Sequence, residues 1–145
     1  MNNPCILDTS VWILALRKEF LPQAKDLVAR MIDEERLVMV PIVKLELLAG
    51  TRTKKEFSRL KLRLDALPEI EMSESIWEIA QRLAFGLRRS GLSIPLIDTL
   101  ILASAKSASA LLIHNDKHFD MARKIAGVRT ENLRLRFSRT SVSPC

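Results

Sequence analysis

Four carboxylates in this chain could act together on a substrate, and each stands where a charge needs a reason. Asp8 interrupts the stretch CILDTSVW, directly after one apolar run and directly before another. Asp116 stands in the same relation to the apolar run Ala110 to Ile113, just past His114 and Asn115. Glu46 lies in PIVKLELLAG, where the residues three and four positions away are Ile42, Val43, Ala49 and Gly50, none able to pair its charge. An unpaired carboxylate on an apolar stripe is costly if buried, so Glu46 should face a metal, a cation or a wet pocket. Asp98 falls in the first turn of LIDTLILASA, among Ile97, Leu100, Ile101 and Leu102, which read as a largely buried helix.

Simpler roles exist for each acid. Asp8 and Asp116 could be N-caps of the helices that follow them, Asp98 could answer the helix dipole, and Glu46 could reach solvent at an edge. Together they form an oxygen-only ligand set with no cysteine or histidine cluster, which suits Mg²⁺ or Mn²⁺ and not Zn²⁺. Such ions activate water and neutralise charge on phosphate esters. Asp120 is a weak fifth candidate, because Lys124 at i+4 explains it as a surface charge. His118 reads as structural, and His114 is left open between a structural and a functional role. Cys5 is no nucleophile, since a thiol inside a buried strand has its pKa raised.

The elements that position these residues alternate short apolar strands with helices. Strands are expected at Cys5 to Leu7, Leu37 to Val40, Glu69 to Met72, Ala110 to Ile113 and Val128 to Leu133. Helices are expected through Val11 to Leu16, Pro22 to Glu35, Ile42 to Ala49, Arg52 to Leu67, from a Ser73 or Ser75 cap to about Ser90, Pro95 to Ser109, and Lys117 to Ala126. This alternation implies a parallel sheet with helices on both faces, in which ligands bind at the carboxyl ends of the strands. Asp8 and Asp116 are both at such ends.

Composition narrows the class. A chain of 145 residues, 48% hydrophobic and 28% charged, suits one soluble domain with a real core and excludes general disorder. Its net charge of +6 biases the surface toward polyanions such as nucleic acid. The two cysteines, Cys5 and Cys145, have no metal-knuckle or disulfide spacing, and the longest apolar run near the N-terminus is too short to span a bilayer. A reducing, cytoplasmic setting with no membrane partner is therefore expected. A receiver domain would need an acidic pair at its first strand, whereas this chain has a single Asp8 there.

The motifs LDTSVWI with Asp8, VKLELLAG with Glu46, IPLIDTLILASA with Asp98 and LLIHNDKHFD with Asp116 resemble, in order and spacing, the four acidic motifs of PIN-domain nucleases. GLSIPLIDTLI and the closing GVRTENL are similar to toxin ribonucleases of the VapC type. One position departs: His114 stands where many members carry Thr or Ser. The resemblance implies a three-layer α/β/α PIN-like nuclease domain over residues 1–133 around a short, mostly parallel sheet, followed by a basic tail over 134–145. It also implies a Mg²⁺- or Mn²⁺-dependent endoribonuclease that hydrolyses RNA in line, leaving a 5′-phosphate and a 3′-hydroxyl. The protein would form homodimers and be neutralised by a small cognate antitoxin.

On that likeness Asp8, Glu46, Asp98 and Asp116 are the catalytic and metal-binding set, with Thr9, Ser10 and Asn115 auxiliary. Arg82, Arg88, Arg89 and Lys117 are the weaker candidates for guiding RNA. The alternatives are a housekeeping nuclease of the same fold without an antitoxin, and a non-catalytic RNA-binding domain.

Overall fold

The computed structural model describes residues 3–16 and 22–134. Within them, three parallel strands, β1 (Cys5–Leu7), β2 (Leu111–His114) and β3 (Thr130–Asn132), form one sheet in the order β1-β2-β3. Seven helices accompany it: α1 (Thr9–Leu16), α2 (Pro22–Asp33), α3 (Pro41–Ala49), α4 (Lys54–Asp65), α5 (Glu74–Arg89), α6 (Leu96–Ala108) and α7 (Lys117–Ala126). This is the expected α/β/α architecture. The basic tail expected after Leu133 lies outside the described residues beyond Arg134.

β2 is the central strand, and Leu112, Ile113 and His114 on it are all inaccessible to solvent. Its register sets Ile6 beside Leu112 and Leu7 beside Ile113, so β1 and β2 end side by side, and the residues that follow each emerge together. The small residues of α6, with Ala103, Ser104 and Ala105 fully buried, allow that helix to pack tightly against its neighbours. Ser104 satisfies its hydroxyl by donating to the Leu100 carbonyl at 2.9 Å.

Three expected strands are shorter than the sequence suggests. The segment around Leu37 to Val40 makes single parallel bridges only, Leu37 with Cys5 and Met39 with Glu69. Pro41 opens α3 immediately afterwards, and Pro68 precedes Glu69 without an N–H to donate, so neither ladder propagates. The expected strand Glu69 to Met72 is accordingly one bridge residue. The last strand is likewise confined to Thr130–Asn132 rather than Val128 to Leu133.

The helix signals read more directly. Ser73 caps α5 by accepting from the Ile76 N–H, and Thr53 caps α4 by accepting from Glu56. Gly127 ends α7 with φ +66°, a conformation that costs glycine little. No helix among the described residues is long and apolar enough to cross a membrane.

Candidate active site

Asp8 leaves β1 and immediately precedes α1, whose first turn it caps. Its backbone carbonyl accepts from the Val11 and Trp12 N–H groups, and its Oδ1 lies 3.4 Å from the Val11 nitrogen. Yet the residue is only 5% exposed, far more buried than capping requires. Ser10 Oγ donates toward both carboxylate oxygens at 2.8 Å, and accepts from the Asn115 N–H at 3.2 Å. One hydroxyl therefore ties the residues just past β1 to those just past β2. Burial pushes the Asp8 carboxyl up to about 6, against the opposing pull of the Ser10 and Val11 donors, and the Asp98 charge adds to the rise.

Glu46 comes from α3 and receives a 2.7 Å hydrogen bond from Thr9 Oγ1, across 37 positions of sequence. Lys44, the cation nearest to it in sequence, is engaged elsewhere. It pairs with Asp65 and, at 3.8 Å, with Glu69. Among the described residues no lysine or arginine pairs with Glu46.

Asp98, in the first turn of α6, is 17% exposed at its side chain. Its carboxyl is raised by burial first and then by Asp116 and Glu46, with His118 pulling the other way. Asp98 also raises Asp8, so it lies within electrostatic reach of the other three acids, although only Asp116 and His118 bring ligand atoms within 4.8 Å of it and of each other. Asp116 caps α7 by accepting from the His118 N–H at 2.9 Å on Oδ1. Like Asp8, Asp116 caps a helix and is also coupled electrostatically to Asp98.

His118 corrects the sequence reading. Its Nδ1 lies 3.2 Å from Asp116 Oδ1 and 3.4 Å from Asp98 Oδ2, and one ligand atom from each of these residues falls within 4.8 Å of the others. That nitrogen is shielded from solvent and its geometry is too poor for a hydrogen bond to either oxygen. The signal available in the sequence was its i+2 relation to Asp116, which folds the ring back over the cap.

His114 is structural. It is inaccessible to solvent, its Nδ1 accepts from the Asp116 N–H at 3.2 Å, its Nε2 stands 3.5 Å from Asp120, and its ring packs on Phe119 with centroids 5.1 Å apart. Burial lowers its pKa, so a neutral ring is favoured. Asp120 also accepts from Asn132 Nδ2 at 2.9 Å, and is committed there rather than to the acid group.

The basic candidates are not drawn into the group. Arg82 pairs with Glu78 at 2.9 Å on the exposed side of α5, and Arg89 lies 5.8 Å over the Phe85 ring. Arg88 and Lys117 are exposed, the latter directly beside Asp116 in the chain. Among the described residues no lysine or arginine pairs with Asp8, Glu46, Asp98 or Asp116, and the His118 ring reaches Asp98 and Asp116. Asp98, Asp116 and His118, with Asp8 and Glu46 in electrostatic reach of Asp98, form a donor set that fits a divalent ion, whose charge would offset theirs.

A small α/β/α domain with this acidic group at the strand ends defines a class, and the chain belongs to it: the PIN-domain family model matches residues 5–125. Within that family it is similar to ribonuclease VapC19 of Mycobacterium tuberculosis, at 36% identity over 80% of this chain and 92% of the relative. Its fold matches VapBC2 from Rickettsia felis bound to a promoter DNA fragment, with TM-score 0.74, 24% identity, and coverage of 88% of this chain and 96% of that one. It also matches VapBC-5 of Mycobacterium tuberculosis, a member of the VapBC family of toxin-antitoxin systems, with TM-score 0.64, 20% identity, and coverage of 91% and 100%. The resemblance carried by the four acidic motifs is therefore borne out.

Proposed function

We propose that the protein is a metal-dependent endoribonuclease, the toxin of a toxin–antitoxin pair, working in the cytoplasm and held in check by a small cognate antitoxin. The observation that carries this reading is the electrostatic coupling of Asp8, Glu46 and Asp116 to Asp98, with no lysine or arginine paired to any of the four among the described residues. These residues would hold Mg²⁺ or Mn²⁺, which when bound supplies an activated water and offsets charge on the phosphoryl oxygens. The chain's own contribution is orientation. Thr9 fixes Glu46, and Ser10, itself held by the Asn115 N–H, fixes both oxygens of Asp8. The net charge of +6, with Lys117 beside Asp116, favours a polyanionic substrate.

A homodimer belongs to the same reading. Trp77, Phe85, Leu96 and Ile97 are 50%, 68%, 65% and 41% exposed, and Trp77, Leu96 and Ile97 line an apolar groove between α5 and α6. Exposed apolar surface gathered in this way supports a protein partner on the face beside Asp98.

The decisive experiment is cleavage of labelled RNA by purified protein with Mg²⁺ or Mn²⁺. Cleavage is expected to stop with EDTA and with Asp8→Asn. Activity surviving both would point to a contaminant, and RNA binding without cleavage by the parent would favour a binding domain. A smaller effect is expected at Thr9→Val, which keeps the side-chain shape and removes the bond to Glu46. Initial rates should fall roughly tenfold, about 1.4 kcal/mol, with the melting temperature little changed.

A further inference from the structure

We infer that His118 is a direct ligand of the metal ion through Nδ1, making this a mixed oxygen–nitrogen site that favours a transition ion such as Mn²⁺ over Mg²⁺. The inference rests on the metal-nuclease reading above and goes beyond its four acids. An octahedral ion with donors at about 2.1 Å keeps adjacent donors about 3 Å apart. The separations from His118 Nδ1 to Asp116 Oδ1 and Asp98 Oδ2, 3.2 and 3.4 Å, are close to that spacing. One ligand atom from each of the three residues lies within 4.8 Å of the others, a group compact enough to close onto one ion with small side-chain adjustment.

The nitrogen is also prepared for the task. It is shielded from solvent and makes no well-aligned hydrogen bond, and the groups it faces are the two carboxylate oxygens at 3.2 and 3.4 Å. Asp116 holds the backbone of His118 by accepting its N–H, and Phe119, the next residue, is fully buried, so the start of α7 is anchored. The backbone that carries the imidazole is thereby held in a fixed turn beside Asp116. Mg²⁺ prefers oxygen donors and retains its waters, whereas a neutral imidazole is a good donor to transition ions.

The full chain, labelled with ¹⁵N at histidine, would be titrated with MnCl₂ alone and studied by pulsed electron paramagnetic resonance. The chain holds two histidines, so the label reports on few sites. Directly bound ¹⁵N should appear in the parent, persist in His114→Asn, and vanish in His118→Ala and His118→Gln. Competition between MnCl₂ and MgCl₂ should show the preference for Mn²⁺ falling roughly tenfold in both His118 variants. Bound Mn²⁺ in the parent with only oxygen donors would overturn the inference and leave the metal-nuclease reading standing. Failure of Mn²⁺ and Mg²⁺ to bind the parent at all would overturn that reading too. The parent spectrum decides the ligand even if a variant fails to fold.

Discussion

Asp8→Asn is expected to abolish RNA cleavage and, in metal-free protein at neutral pH, to raise the melting temperature. The loss of activity should be roughly 10³-fold or more, about 4 kcal/mol, because the substitution removes an anionic donor from the proposed ion site. The gain in stability follows from burial. The Asp8 carboxyl is pushed up from 3.8 to about 6, so the folded state holds its proton more tightly than the unfolded chain does. As pH rises from about 4 through about 6, the unfolded chain ionises first and stability is lost; above that window the penalty is fully present. A rise of about two pH units corresponds to about 3 kcal/mol at neutral pH. Asparagine carries no charge at any pH and retains one oxygen for Ser10. Without metal it should therefore melt roughly 5–10 °C higher than the parent near pH 7. The two proteins should converge near pH 4, as thermal melts across that range would show. A difference independent of pH would mean that ionisation of Asp8 is not its cause.

Glu46 and Asp98 were legible in the sequence for one reason: each is an acid in an apolar helical context that a surface role does not explain. Asp8 and Asp116 were legible as strand-end acids, but the choice between cap and site was a false one. Each caps its helix through backbone or Oδ1 contacts and still faces the acid group. What the sequence could not display are the bonds that close over long separations. Thr9 to Glu46 spans 37 positions and Ser10 to Asn115 spans 105, and both exist only because β1 and β2 end side by side. His118 was misread for a related reason. A lone histidine near a strand end reads as structural, and its position alone did not announce that His118 would stand 3.2 and 3.4 Å from Asp116 and Asp98. The two edge pairings around Leu37 and Glu69 were overestimated because apolar runs suggest strand length, whereas the prolines that follow and precede them set it.

Saturating Mn²⁺ is expected to stabilise the parent strongly, and this response should vanish in Asp98→Asn. Burial and mutual repulsion raise the carboxyls of Asp8 and Asp98 in the metal-free fold, and the named sources of that repulsion are Asp98 for Asp8, and Asp116 and Glu46 for Asp98. A bound divalent cation reverses each of these interactions at once, since the same anions that oppose folding then become its ligands. At about 100 times the dissociation constant, binding to the folded state alone contributes about 2.7 kcal/mol, or roughly 8 °C in the melting temperature of a domain this size. Asp98→Asn removes the acid on which the other three converge. It should melt higher than the parent without metal, for the reason that applies to Asp8→Asn, and should gain almost nothing on adding Mn²⁺. The order of the two melting temperatures would then invert between metal-free and Mn²⁺-saturated protein. A surface-charge substitution such as Arg82→Gln should leave the Mn²⁺ response intact, which separates loss of the ion site from a general change in net charge. If Asp98→Asn kept the full response to Mn²⁺, the ion would be bound away from the acids at the strand ends, and their convergence would need another cause.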